Sequence, residues 1–379
     1  MTGEAVWSVE FFLAAACCHP HPDRAYLSAL AARVGDWPRF LRIVRRHRIS
    51  ALVWRALSTE AAMDADVLDA LRRFSRRAGE ASFRLAAETI RIVRLFEANN
   101  IPVVVLKGAP LACQLYGDLA VRHSRDVDLL VDSCHLDMAL ALLAENSYRP
   151  VPGHVDFCHV ELVHDVTGIS LELHWHLTEN RWQLPVLPSP QAWEKMDIGG
   201  GGSVPVLPDD FSLLYLFVHG ARHCWFRLKW LADIAFLVEQ LPPERMAGVI
   251  LAAESHGLWR PVTQGLVLAH RLMKVPLPPA VAGMEGDRGV RILLRMAEEA
   301  LAEEASEGQA HGFRTNLTRA NLSHYLLGRG WCYVLAELRD DLFRPVYTDR
   351  GKRPWYWRLP CAVTRSVLYA IRCARSRSR

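Results

Sequence analysis

The sequence predicts an α+β fold, a mixed β-sheet core with large helical additions. Three observations carry that expectation. Apolar runs at Val103–Val105 and Asp126–Val131 read as strands, and alternating runs at 155–162 and 170–177 are joined by a turn at 164–168. Most of the remaining chain repeats its apolar residues at helical spacing. A hairpin set beside separately connected strands makes the sheet mixed rather than purely parallel.

In chain order, 6–58 is helical, broken at His19-Pro20 and Trp37-Pro38, with Asp36 as a helix cap before a proline in the first turn. The basic run of Arg42, Arg45, Arg46 and His47 fits a solvated helix face better than an anion-binding surface. Residues 66–99 form one long helix with a drifting apolar stripe, stopped by Asn99-Asn100 and Pro102. After the strand at 103–105, Lys107-Gly108-Ala109 marks a change to a short helix carrying Leu111, Leu115 and Tyr116. A polar approach at 122–125 leads into DVDLLV, then a helix at 135–146, a turn at 148–152 and the hairpin. Residues 181–207 read as mostly loop with short extended pieces. Asp209 or Asp210 caps a helix at 211–221, and further helices follow at 228–241, 243–256, 260–273, 288–304 and 322–342. Connections fall at 283–287 and 305–315, and an aromatic patch at 354–357 precedes a last helix at 361–373. The organisation expected is an N-terminal helical region (1–84), a catalytic core (85–208) and a C-terminal helical domain (209–379).

Composition narrows the function classes. With 379 residues, 51% hydrophobic and 23% charged, the chain is long enough for more than one core and is neither disordered nor fibrous. A net charge of +4 gives no argument for nucleic acid by itself, although the basic end at 365–379 is one place for a membrane-surface or nucleic-acid contact. Nine cysteines, an odd count without a CxxC pair, speak against a disulfide scaffold or a cysteine-rich zinc site and for a reducing, cytoplasmic setting. The apolar patch at 11–18 follows Glu4 and Glu10 without a basic leader, so it reads as a buried helix, and no run is long enough to span a bilayer.

The chemistry gathers on three stretches. Asp126 and Asp128 are two apart on a strand, so both side chains leave one face. On 170–176, Leu171, Leu173 and Trp175 alternate with Glu172, His174 and His176. If that strand neighbours the first, Glu172 completes a three-carboxylate cluster, which a hard divalent cation, Mg²⁺ or Mn²⁺, would compensate. The N–H groups of Gly108 and Ala109, at a helix start, suit phosphate oxygens. Lys107, Arg122 and Arg125 are candidate phosphate partners, or one of them neutralises the carboxylates. His174 and His176 either extend the site or pack within the sheet. His219 and His223 face one way at i and i+4, but no HExxH or cysteine pair accompanies them. His223, Arg227 and Lys229 fit better as the lining of a cleft mouth, with Asp233 holding one of those cations.

LKG at 106–108, LYGDLAVRHSRDVDLLV at 115–131, LELHWHL at 171–177 and HGARHCWFRLKWLADIAFLV at 219–238 resemble, in order, the uncharacterised bacterial nucleotidyltransferases of the DNA-polymerase-β-like superfamily. The resemblance implies that Gly108 is the phosphate-turn glycine and that Asp126, Asp128 and Glu172 are the metal-binding carboxylates. One departure is Ala109, which offers no hydroxyl where the superfamily usually has serine or glycine. The implied reaction is metal-dependent transfer of a nucleotidyl group, with ATP the default donor, to a hydroxyl or phosphate on a small molecule or peptide. The alternatives are an RNA- or tRNA-modifying, toxin-like transferase, a non-catalytic nucleotide-binding adaptor, and a phosphohydrolase using the histidines.

Overall fold

The computed structural model describes residues 7–59, 63–155, 158–178, 180, 183–184, 187–200, 202–303 and 321–343. Four short helices open it: α1 (Val9–Ala16), α2 (Arg24–Ala31), α3 (Trp37–His47) and α4 (Ser50–Leu57). Asp36 starts α3 as expected, its Oδ1 accepting the Arg39 N–H at 2.8 Å. The basic run on α3 is structural: Arg46 donates to the carbonyls of Ala300 and Glu303, and Arg45 lies over the Phe74 ring. The long helix is continuous as α5 (Ala65–Ala98), capped by Asp64.

Seven strands form one sheet: β1 (Val103–Val105), β2 (Asp126–Val131), β3 (Tyr148–Val155), β4 (His159–His164), β5 (Ser170–His174), β6 (Glu194–Asp197) and β7 (Ser203–Val206), in the order β3-β4-β5-β2-β1-β7-β6. β2 is antiparallel to β1 and parallel to β5, and β1 is parallel to β7, so the sheet is mixed. Helices α6 (Ala109–Tyr116) and α7 (Leu136–Glu145) fill the β1–β2 and β2–β3 connections.

Here the sequence reading needs correcting in two places. The expected turn at 148–152 is the start of β3, and the strand expected over 155–162 is divided between the end of β3 and β4, while the short extended pieces expected within 181–207 are the β6–β7 pair. Pro150 and Pro152 hide β3 from pattern reading, yet it lies at the sheet edge, where a missing N–H is tolerated, and its register shifts after Pro150. β6 is the other edge, short and polar, a composition that discourages further pairing.

The C-terminal half is helical: α8 (Asp209–Arg222), α9 (Leu228–Gln240), α10 (Pro243–Ser255), α11 (Trp259–Met273), α12 (Pro279–Ala282), α13 (Arg288–Ala302) and a last described helix, Trp331–Phe343. Neither Asp209 nor Asp210 caps α8; Pro208 holds the cap position, and the two carboxylates, in the first turn, bond Gln114 and Arg245 instead. The helix expected over 322–342 is interrupted at 328–330, where Gly330 has φ +89°. The features expected at 305–315, 354–357, 361–373 and 365–379 lie outside the described residues.

One apolar core joins both ends of the chain, packing Leu13, Phe40 and Leu71 with Phe217, Trp225 and Leu293. A second core fills the space between α5, α7 and one face of the sheet, using Val127, Leu129, Leu171, Leu173 and Trp175. The alternation therefore resolves as expected, with Asp126, Asp128, Glu172 and His174 on the opposite face. That face is partly covered by Phe211 and Tyr215 of α8, against Val104, Leu106 and Leu130. Gly220 on α8 and Gly265 on α11 admit the Trp225 indole, since a Cβ at either would stand 2.3 or 2.8 Å from the ring. What α8 leaves uncovered is a cleft.

Candidate active site

The parallel pairing of β2 with β5 sets Asp128 opposite Glu172 and Asp126 opposite Ser170. The two strands thus bring all three acidic side chains to one face from positions remote in sequence. Ligating atoms of Asp128, Glu172 and His174 all lie within 4.8 Å of one another, a cluster able to hold a divalent ion. Asp126 lines the same cleft one step towards the strand's start.

The electrostatics show what the cluster lacks. Burial and the neighbouring Asp128 and Glu172 carboxylates push Asp126 up to about 6. Burial also works to raise Asp128, but Lys107 and His174 outweigh it and hold that carboxyl below the usual range. Lys107 Nζ stands 3.2 Å from Asp128 Oδ1, and the carboxylates keep its ammonium charged against the cost of burial. His174 Nε2 is 3.2 Å from Glu172 Oε2 and 3.8 Å from Asp128 Oδ1. Asp128 Oδ1 is fully buried and faces the Lys107 ammonium, with His174 Nε2 at 3.8 Å. Two carboxylates and an imidazole converging within 4.8 Å form a donor set that fits a divalent cation beside Lys107.

Gly108 adopts φ +74° and ψ −124° at the start of α6, a backbone open to glycine and strained for other residues, although a Cβ would find open space. Gly108, Ala109, Asp126 and Asp128 line one small crevice, so the turn and the aspartates sit together. The larger cleft, about 470 Å³, is lined by the carboxylates and by Lys107, Arg122, His223, Arg227 and Lys229. Arg125 is exposed and lies outside that lining.

The cations are held differently from the sequence expectation. Asp233 holds neither His223, Arg227 nor Lys229; it takes both Nε and Nη2 of buried Arg122 and the Tyr116 hydroxyl at 2.8 Å. Lys229 Nζ donates to the His123 carbonyl at 3.2 Å, and burial together with Arg122 and Arg48 holds its pKa well below the ordinary lysine value. Arg227 lies over the Phe226 ring and donates to the Arg46 carbonyl. His219 and His223 pack on the Trp230 indole, with the His223 and Trp230 rings stacked at 5.2 Å.

Arg48, Tyr215, Arg222 and His159 also line the cleft and escaped the sequence reading. Tyr215 had a signal, since it precedes His219 by one helical turn. Arg48 had none: it is aimed by a left-handed residue at the end of α3, φ +57°.

A glycine turn, an aspartate-x-aspartate strand and a third acidic strand on one face of a mixed sheet define the DNA-polymerase-β-like nucleotidyltransferase class. Within it, this chain belongs to the family described as uncharacterised nucleotidyltransferases, which matches residues 34–274, well over half its length. The match takes in every cleft residue from Arg48 to Trp230. No curated protein matches the chain.

Proposed function

We propose that this cleft transfers a nucleotidyl group from a nucleoside triphosphate, ATP by default, to a hydroxyl or phosphate of a small molecule or peptide, releasing pyrophosphate. The observation that carries the reading is the register of β2 with β5, which sets Asp128 beside Glu172 and Asp126 one step away, with both aspartates next to the Gly108 turn. Asp126, Asp128 and Glu172 would hold Mg²⁺ or Mn²⁺, which supplies charge stabilisation to the attacking and leaving oxygens.

The chain's own groups have separable tasks. The Gly108 and Ala109 N–H groups, at a helix N-terminus, receive phosphate oxygens. Lys107, already charged, lines the crevice with them, and Arg122 and Lys229 share the wall of the larger cleft with it. Lys107 thus takes the part of the hydroxyl that Ala109 lacks. Glu172 is the most open of the paired carboxylates, its side chain 27% exposed against 5% for Asp128, and is suited to take the acceptor's proton. His223, Arg227 and the ring of Trp230 bound the part of the cleft where the nucleobase or acceptor would lie.

No described helix is long and apolar enough to cross a membrane. The test is pyrophosphate release with each of the four nucleoside triphosphates across sugar phosphates, aminoglycoside-like alcohols, peptides and RNA ends. Asp126→Ala and Asp128→Ala are expected to abolish it with the fold retained. Unchanged release would remove the site, and release with RNA alone would favour the RNA-modifying alternative.

A further inference from the structure

We propose that His174 is itself a metal ligand, and that the ion this site takes best is a first-row transition ion of the Mn²⁺ type rather than Mg²⁺. The inference rests on the transferase reading only for the presence of an ion between Asp128 and Glu172.

The geometry is direct. His174 follows Glu172 by two residues on β5, so both side chains leave the face that Asp128 shares. Nε2 aims between the two carboxylates, 3.2 Å from one oxygen and 3.8 Å from the other. Neighbouring ligands on an octahedral ion with bonds near ~2.1 Å stand about 3.0 Å apart and opposite ones about 4.2 Å. The 3.2 Å separation from Glu172 is close to the neighbouring-ligand value, and the 3.8 Å separation from Asp128 lies between the two, so a small rotation of one side chain completes the set. The ring is fixed from behind by His159, stacked on it at 4.9 Å and 30°. His174 is also 6% exposed, too deep to serve as a surface base.

The donor set then decides the metal. Carboxylate oxygens alone suit Mg²⁺, whereas an imidazole nitrogen adds little for Mg²⁺ and much for transition ions. Asp128, Glu172 and His174 provide two oxygens and one nitrogen. Asp126, the third carboxylate, does not fall within the tight group that His174 joins.

The experiment loads the full chain with Mn²⁺ alone and records pulsed EPR for ¹⁴N coupling, with Mn²⁺ and Mg²⁺ affinities measured by competition titration. Coupling from one imidazole nitrogen is expected in the native chain, kept in His159→Ala and lost in His174→Ala. The Mn²⁺-over-Mg²⁺ preference should fall at least tenfold in His174→Ala. If that variant does not fold, the native spectrum with ¹⁵N-labelled histidine still decides. Bound Mn²⁺ without nitrogen coupling, or coupling lost only in His159→Ala, overturns the role of His174 and leaves the transferase reading intact. No Mn²⁺ binding at all overturns both.

Discussion

Two buried charge clusters, both reached from the cleft, make opposite arrangements of the same side-chain types. Around Asp233, one carboxylate meets the two-pronged Arg122 guanidinium and the Tyr116 hydroxyl, so the charges balance and both carboxylate oxygens are bonded. Around Asp128, three carboxylates crowd about Lys107 and His174. The first cluster is complete as it stands and ties the loop after α6 to α9. The second keeps carboxylates close enough to push Asp126 up to about 6, a repulsion that a divalent cation would relieve. Similar burial thus balances charge in one place and crowds like charges in the other.

The sharpest way to break this contrast is to neutralise one aspartate of each cluster. Asp128→Asn should reduce pyrophosphate release by roughly 10³-fold or more, about 4 kcal/mol of transition-state stabilisation, while circular dichroism and Tm report a retained fold. Asp233→Ala should do the reverse, costing about 3–5 kcal/mol of stability because it leaves the Arg122 charge buried and uncompensated. Denaturant titration measures it, and an unchanged midpoint would remove the anchoring role.

A smaller effect follows from Asp126. Its carboxyl titrates at about 6 in the folded protein against 3.8 ordinarily, so ionising it costs more folded than unfolded. Without divalent ions its contribution therefore lowers stability as pH rises from about 4 through 6, by on the order of 3 kcal/mol, and levels off above. In EDTA, Asp126→Asn should melt above the native chain at pH 7 and close to it at pH 4. A native chain that melts higher at both pH values would contradict this account. The smallest change is Gly108→Ala, which has space for the methyl but not the backbone angle, for roughly 1–2 kcal/mol. Its KM for the nucleotide should rise more than its Tm falls.

Face assignments were legible in the sequence because strand periodicity is local: Asp126 and Asp128 fall opposite Val127 and Leu129, and Glu172 opposite Leu171 and Leu173, by counting alone. Their meeting was not, since the Asp128–Glu172 register depends on a parallel pairing between strands joined by α7 and two further strands. β3 was lost to its prolines, which only an edge position tolerates. Arg48 was invisible because a left-handed residue at a helix end, rather than a sequence pattern, aims it. The partner of Asp233 was misassigned for a related reason. Nearby cations in sequence were preferred, and the true one, Arg122, arrives from another element.

The core shared by the chain's two ends has a consequence for synthesis. Leu13, Phe40 and Leu71 leave the ribosome long before Phe217, Trp225 and Leu293, which belong to the same core. At about 5–20 residues per second, the N-terminal helices wait many seconds with apolar faces uncovered, which makes the nascent chain a natural client for chaperones. It also means that α8 and α9, the far wall of the cleft, arrive late, so the cleft is complete only once they have been made.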